Sequence, residues 1–319
     1  MSKKYIVIVP FWPLGTPKNE NYFFLPAKLA AQRGYKTSIF VLSEKNRDRE
    51  NFFGIPVYFF QSPFELLRKM PTNAVLHFQT ASRKVLLLLF LTSLFKKKRK
   101  IFWIPHTSFN RKNRPFGFPV DIFKLFSFIF KKLDKIIAIS EYEQRYLENL
   151  GYKNVTFSLL VIDKERFTPL KKKKKKSFNI LFVGGDREVK GLSGVLKAAA
   201  VLGKLGINHN LFVLGKVGKE FRENHRDLIN ERVKFLGFVE PDSKLLAKVF
   251  RNCDCYVNNS LQEGCPLAAL EAAASGLFLC LPDLPTLRSI FKEDARYHSC
   301  DHYSDLAESL LFCFLNTAS

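Results

Sequence analysis

Two glutamates eight residues apart, a strand running into a double glycine, and a lysine just after it are the residues of this 319-residue chain best placed to do chemistry. Glu263 lies in the loop Leu261-Gln262-Glu263-Gly264, ahead of a helix expected from Pro266 to Ser275 and stopped at Gly276. Proline suits the first position of a helix, alanine its interior and glycine its end. The first amides of that helix have no partner within it, so those of Cys265, Leu267 and Ala268 are expected to face a ligand cleft, and the segment Gly264, Cys265, Pro266 and Leu267 is a candidate donor-binding loop. Glu271 sits among Ala268, Leu270, Ala272 and Ala273. A carboxylate on so apolar a helix is costly to bury without a partner, and a ligand hydroxyl would supply one. The plainer alternatives are a solvated helix glutamate at 271 and a helix-start carboxylate at 263.

The second constellation is Phe182-Val183-Gly184-Gly185-Asp186-Arg187-Glu188-Val189-Lys190-Gly191. Glycines after a strand let backbone amides approach an anion, and the helix that follows presents about half a positive charge at its N-terminus. Lys190 and Arg187 add full charges there. A tight turn with exposed basic residues is the plainer alternative. The segment contains neither GxxxxGK[ST] nor GxGxxG, which argues against a Walker loop and a dinucleotide dehydrogenase.

These residues need a scaffold, and short apolar runs alternating with helical patterns describe one. Strands are expected at 5–9, 37–42, 57–60, 74–78, 100–104 and 135–139, with helices at 23–32, 83–95 and 141–150. The pattern recurs after residue 178, with strands at 179–183, 210–214, 233–235, 255–257 and 277–281. Apolar strands of this kind suit parallel sheets covered on both faces, so the fold class is α/β, with two doubly wound, Rossmann-like domains. Ligands in such sheets bind beyond the carboxyl ends of the strands. Lys171 to Lys176 repel one another and mark a solvated boundary. Expected domains are 1–165, a basic linker at 166–177, and 178–319.

At this point the residues resemble a known family. Glu263 and Glu271 are similar to the E-x7-E motif of the retaining glycosyltransferases of family four, which have the GT-B fold. Val183-Gly184-Gly185 to Lys190-Gly191 resembles that family's phosphate loop, and Cys253 to Val257 the strand before the motif. Val233 to Val239 resembles the strand and turn near the donor base. In the first half Arg33-Gly34-Tyr35, Val75-Leu76-His77, Ile104-Pro105-His106 and Ala138-Ile139-Ser140-Glu141 agree more loosely, as does Ile162 to Pro169 at the domain exit.

The resemblance implies two domains facing across a cleft, and a sugar moved from a nucleoside-diphosphate sugar to an acceptor hydroxyl with retained configuration. It implies that Lys190 neutralises the diphosphate, Glu271 binds ribose hydroxyls and Glu263 holds the sugar. It places His106 near the anomeric centre, although a lone histidine at a strand end is more often structural. Gly15, in the loop after the first strand, is a candidate on the acceptor side. No cofactor or metal is expected, the nucleotide sugar being a substrate. Many family members carry arginine where Gly185 stands, and Arg187 is the available substitute.

Charge is unevenly distributed. Residues 1–170 hold 29 Lys and Arg against 12 Asp and Glu, whereas residues 171–319 hold 22 against 17, including the lysine run. An anionic partner for the first half follows, either a membrane surface or nucleic acid, but no nucleic-acid motif is visible and nucleic acid is not expected. The stretch 85–95 reads as a core helix. Residues 116–132, which mix phenylalanines with lysines, fit a core helix and an interfacial one equally. No run reaches the roughly 20 apolar residues of a membrane span. The six cysteines show no zinc spacing and read as buried thiols of a reducing compartment. The expected protein is cytoplasmic, with peripheral membrane association and a glycan or lipid-linked acceptor. A nucleotide-sugar epimerase of the same architecture and a non-catalytic nucleotide-sugar-binding scaffold are the rival readings.

Overall fold

The computed structural model describes residues 3–10, 23–42, 49–95, 98–112, 114–116, 121–160, 162–169, 177–240 and 243–317. Gly15 and the run Lys171 to Lys176 lie outside the described residues. The chain divides into two compact units, Met1–Ser108 with Arg114–Val161, and Phe109–Asn113 with Ile162–Ser319.

The first unit begins with β1 (Lys4–Val9), α1 (Leu25–Gln32), β2 (Lys36–Leu42), β3 (Glu50–Phe52) and β4 (Ile55–Phe60). Then come α2 (Pro63–Lys69), β5 (Ala74–Gln79), α3 (Arg83–Leu94) and β6 (Lys100–Ile104). The short strand β7 (Phe109–Asn110) belongs to the second unit. The first unit continues with α4 (Ile122–Leu125), α5 (Ser127–Phe130), β8 (Lys135–Ala138), α6 (Glu141–Asn149) and β9 (Val155–Phe157). Its eight strands lie in the order β3-β4-β2-β1-β5-β6-β8-β9. All pairs are parallel except β3 with β4. In β1 the consecutive residues Ile6, Val7, Ile8 and Val9 are all buried, because helices cover both faces. Ile6 and Ile8 enter one core with Phe40, Leu76 and Trp103, whereas Val7 and Val9 enter another with Phe24, Ile39 and Val57. The hairpin β3–β4 was not expected from the sequence. It turns on Gly54 at φ 81°, whose amide donates to the Asn51 side chain at 2.7 Å.

The second unit contains β10 (Phe178–Val183), α7 (Leu192–Lys204), β11 (His209–Leu214), α8 (Lys219–Asn224), β12 (Val233–Gly237) and α9 (Lys244–Asn252). It ends with β13 (Cys255–Val257), β14 (Gln262–Glu263), α10 (Leu267–Ala274), β15 (Phe278–Pro282), α11 (Pro285–Phe291), β16 (Arg296–His298) and α12 (Tyr303–Thr317). Six parallel strands lie in the order β12-β11-β10-β13-β15-β16. Both units are therefore doubly wound α/β sheets, as the alternating pattern predicts. The sequence did not reveal α12, whose Leu306, Ala307 and Leu310 join Leu192, Val195 and Leu202 of α7 in one core.

In each sheet the strand order reverses beside the first strand, at β1/β5 and at β10/β13. Open α/β sheets bind ligands at the carboxyl ends of strands flanking such a reversal. The loops after β5, β10 and β13 are thus the places to look.

Candidate active site

In the second unit the reversal brings the glycine loop after β10 against the loop after β13. Gly184 and Gly185 both donate to the Leu214 carbonyl, at 3.0 and 3.1 Å, and the Asp186 amide donates to the Lys216 carbonyl at 3.2 Å. The Asp186 carboxylate in turn accepts from the Gly218 amide at 2.7 Å. The loop amides that the sequence suggested for an anion are therefore engaged with the end of β11. Gly185 has φ 66°, and a Cβ there would stand 2.3 Å from the Lys216 carbonyl oxygen. The glycine is a packing requirement.

Positive charge reaches this place through Lys190. A short 3-10 turn, Glu188–Lys190, follows the glycines, and Gly191 in the left-handed region (φ 68°) starts α7. Asn259 from the β13 loop seats that start. Its Nδ2 donates to the Gly191 carbonyl at 3.0 Å, and a Cβ at Gly194 would lie 2.6 Å from the same nitrogen. The Leu261 amide also donates to the Val189 carbonyl at 2.9 Å. These contacts bring together two segments about 70 residues apart in sequence. The Lys190 Nζ donates to Glu263 Oε1 at 2.5 Å, with the two side chains only 20% and 10% exposed. Asn258 Nδ2 donates to the same oxygen at 3.3 Å. Thr286 Oγ1 holds the backbone of Glu263 through its carbonyl at 2.9 Å. Arg187, by contrast, is exposed at the start of the 3-10 turn.

Three residues past Glu263, Pro266 is the N-cap of α10 rather than its first helical residue. The first bonds back to it are those of Ala269 and Leu270, so the amides of Leu267 and Ala268 precede the helical ladder. Gly264 and Cys265 are buried. Glu271 is half-buried on α10, and burial pushes its carboxyl up to about 7, opposed by the nearby Arg166. The fully buried Tyr256 phenol, in the middle of β13, is raised first by burial and then by Glu263, with an Asn258 hydrogen bond opposing and Glu271 adding a smaller push upward. Both carboxylates therefore act on one short strand.

In the first unit His106 follows β6 with φ 53°, and Thr80 follows β5 with φ 69°. Left-handed backbone is uncommon outside glycine and an outlier for a β-branched residue, and such strain concentrates at functional places. The His106 Nε2 donates to Gln79 Oε1 at 2.8 Å. Burial, then the neighbouring His77, lowers His106 to about 3, so the imidazole is neutral. Among the described residues, two buried nitrogens beside it, His77 Nε2 and Gln79 Nε2, make no hydrogen bond. A buried polar atom without a partner has a desolvation penalty of about 1–3 kcal/mol that a bound hydroxyl would relieve. The opposite edge of His77 is held by Tyr5 at 2.7 Å.

The segment after His106 is pinned from α6. The fully buried Glu143 carboxylate accepts from the amides of Thr107 (3.3 Å) and Ile139 (2.8 Å), while its own amide donates to Ser140 Oγ at 3.1 Å. Burial pushes this carboxyl up to about 7 from 4.5, against those hydrogen bonds. Between roughly pH 4.5 and 7 the folded chain keeps a proton that the unfolded chain releases, so this group favours folding fully below that window and progressively less through it. Melting curves across the window should fall less steeply with pH for Glu143→Gln than for the natural chain. Equal slopes would show that Glu143 does not titrate there.

Comparison with known proteins bears directly on the second unit. The profile of the glycosyl transferases group 1 family matches residues 163–312, nearly all of it. This unit belongs to the group 1 glycosyltransferases. The serotype-specific mannosyltransferase WbdA of Escherichia coli is 27% identical over 137 residues, which cover 41% of this chain and 17% of that protein. The chain thus spans a small part of the curated relatives that it matches. Over its whole length it is similar to sucrose-phosphate synthase from Thermosynechococcus elongatus (TM-score 0.76, 14% identity, 99% of this chain and 90% of that one). It is also similar to an E. coli trehalose-6-phosphate structure bound with UDP-2-fluoro glucose (TM-score 0.73, 12% identity, covering 98% and 91%). The fold is GT-B.

Within the group 1 domain the sequence reading missed Asn258, Asn259 and Thr286, and in the first unit Gln79 and Glu143. Only Glu143 carried a visible signal, the Ser140-Glu141-Tyr142-Glu143 pattern of a capping box. The domain also gathers Cys255, Cys280 and Cys313, with ligand atoms within 4.8 Å of one another, a set no spacing rule reveals. All three are buried among aliphatic side chains, where neutral thiols pack well and an anionic thiolate–metal centre would be poorly solvated.

Proposed function

We propose that this protein is a retaining glycosyltransferase that moves a hexose from a nucleoside-diphosphate sugar to an acceptor hydroxyl, in cell-envelope or polysaccharide glycan synthesis. The observation that carries the reading is the largely buried Lys190–Glu263 pair at the strand-order reversal of a group 1 domain. Fixed cationic groups that meet a leaving diphosphate stabilise charge as it develops, which is where most of such catalysis originates. Lys190 and the N-terminus of α7 take that role, with Arg187 beside them. Glu263 and the amides around Cys265, Pro266 and Leu267 hold the donor sugar, and Glu271 accepts from ribose hydroxyls. In the first unit the neutral His106, with Nε2 donating to Gln79, is the residue proposed to meet a sugar hydroxyl. The mannosyltransferase relative and the UDP-sugar-bound structure support the donor class. Glycan or lipid-linked acceptors are proposed on the same ground, and no metal or cofactor takes part in the reading.

Calorimetric titration with UDP, GDP and ADP and their common sugar conjugates tests it. One nucleotide series should bind, and Glu271→Ala should weaken that series through its ribose. Incubation with donor and candidate acceptors should then release free nucleoside diphosphate. Interconversion of the donor without an acceptor would identify an epimerase, and donor binding without turnover a scaffold.

A further inference from the structure

Helix α3 has the sequence RKVLLLLFLTSL, apolar all the way round. Only one side of it is used by the core, where Val85, Leu88, Leu89 and Thr92 are buried and Thr92 Oγ1 returns to the Leu88 carbonyl at 2.7 Å. Leu87 and Leu94 are 41% and 54% exposed, and Phe95, just past the helix end, is 57% exposed. The reading of residues 85–95 as a core helix therefore holds for one face alone. Leu87, the half-buried Phe90 and Leu94 follow one another at three- and four-residue spacing, which places them in a single stripe.

That stripe continues onto α4 and α5. The Phe90 ring meets Phe126, between the two short helices, with centroids 6.4 Å apart. Flanking Phe126 are Leu125 and Phe128, 56% and 61% exposed, while Phe123, Ile129 and Phe130 beneath them are buried. Exposed leucines and phenylalanines on packed neighbouring helices make a surface of a kind that soluble proteins rarely leave open without a use.

Its surroundings choose the occupant. Arg83 stands at the start of α3, Lys98 beyond its end and Lys124 beside Leu125, all outside the core, while Lys131 just after α5 sets its ammonium over the Tyr152 ring. The two carboxylates in these segments are turned to internal work, Asp121 capping α4 and bonding the Tyr146 hydroxyl, and Asp134 accepting from the Ile101 amide. Apolar side chains ringed by cations match the acyl–headgroup boundary of an anionic bilayer, into which leucine and phenylalanine insert while lysine and arginine meet phosphates. We propose that the α3–α4–α5 face of the first unit is a docking surface for membranes containing anionic lipid, entered by Leu87, Leu94, Phe95, Leu125 and Phe128. The excess of basic residues in the first half of the chain acts in the same direction. This surface is independent of whether the second unit transfers a sugar.

Vesicle flotation of the full chain tests it, with phosphatidylcholine vesicles alone and with phosphatidylglycerol added, at low and moderate salt. Binding should be at least about tenfold stronger to the anionic vesicles and should weaken with salt. Leu94→Glu combined with Phe128→Glu should lower it at least about tenfold without altering the far-ultraviolet spectrum or melting temperature, since both side chains already face water. Lys98→Glu with Lys124→Glu should remove the preference for anionic lipid. Equal binding of the apolar double variant would overturn the proposal, as would indifference to lipid charge. So would sedimentation of the natural chain as a dimer that the double variant dissociates, because a second copy would then be the occupant.

Discussion

Replacing Lys190 with alanine is expected to lower kcat/KM for sugar transfer at least about tenfold, equivalent to about 1.4 kcal/mol of transition-state stabilisation. In the structure Lys190 is the cation that the 3-10 turn after the glycine loop delivers to the strand-order reversal, and it is held there by Glu263 at 2.5 Å. A diphosphate arriving at that place takes over the ammonium, and its departing charge is largest in the transition state, so kcat should fall along with donor affinity. Among the described residues, the same variant leaves the Glu263 carboxylate, 10% exposed, with the Asn258 amide as its remaining side-chain donor. An under-satisfied buried carboxylate destabilises by about 1–3 kcal/mol. Adding Glu263→Gln should restore part of that stability and none of the activity. Steady-state kinetics and chemical denaturation on the two single variants and the double variant separate the effects. Kinetics within twofold of the natural chain would remove Lys190 from the mechanism.

A Cβ at position 185 should be tolerated worse than at most other glycines of the domain. Gly185→Ala forces a left-handed backbone on a residue that resists it, at about 1–2 kcal/mol, and drives the new carbon to 2.3 Å from the Lys216 carbonyl. The Leu214 and Lys216 bonds that lock the loop to β11 leave little room for relaxation. A total of about 3 kcal/mol or more is expected, read as a fall of at least roughly 6 °C in the melting temperature of the unit. Gly206→Ala separates backbone strain from collision, because Gly206 has φ 75° with nothing within 4 Å of its would-be Cβ. If the two variants melt together, the collision at 185 is relieved by a small shift and the packing account is wrong. Gly185→Arg should be no better than alanine. Arginine at this position, found in many members of the family that the sequence resembles, does not suit this loop conformation. The cationic role then falls to Lys190.

Architecture was legible in the order of the residues. Continuous apolar runs such as Tyr5 to Val9, alternating with helical patterns, require strands covered on both faces, and two such arrays require two sheets. Local chemistry was legible too. The glycines after β10 and the alanine-rich α10 ending at Gly276 follow from backbone propensities that act over a few residues. Boundaries set by tertiary contacts were less so. Pro266 moved from the first helical position to the cap, and α12 emerged only because α7 offers it an apolar face.

What the sequence by itself determined is a pair of doubly wound sheets with loops that could hold a phosphate and a sugar. Tertiary structure alone decided which groups meet. Lys190 and Glu263 are 73 residues apart, and strand order is what makes them neighbours. Likewise Asn259 wedges between Gly191 and Gly194, and Glu143 reaches back 36 residues to the amide after His106. It also decided that α3, apolar on every side, hides only half of itself. Propensity and periodicity act within an element, whereas pairing, burial and desolvation depend on what the rest of the chain places beside it.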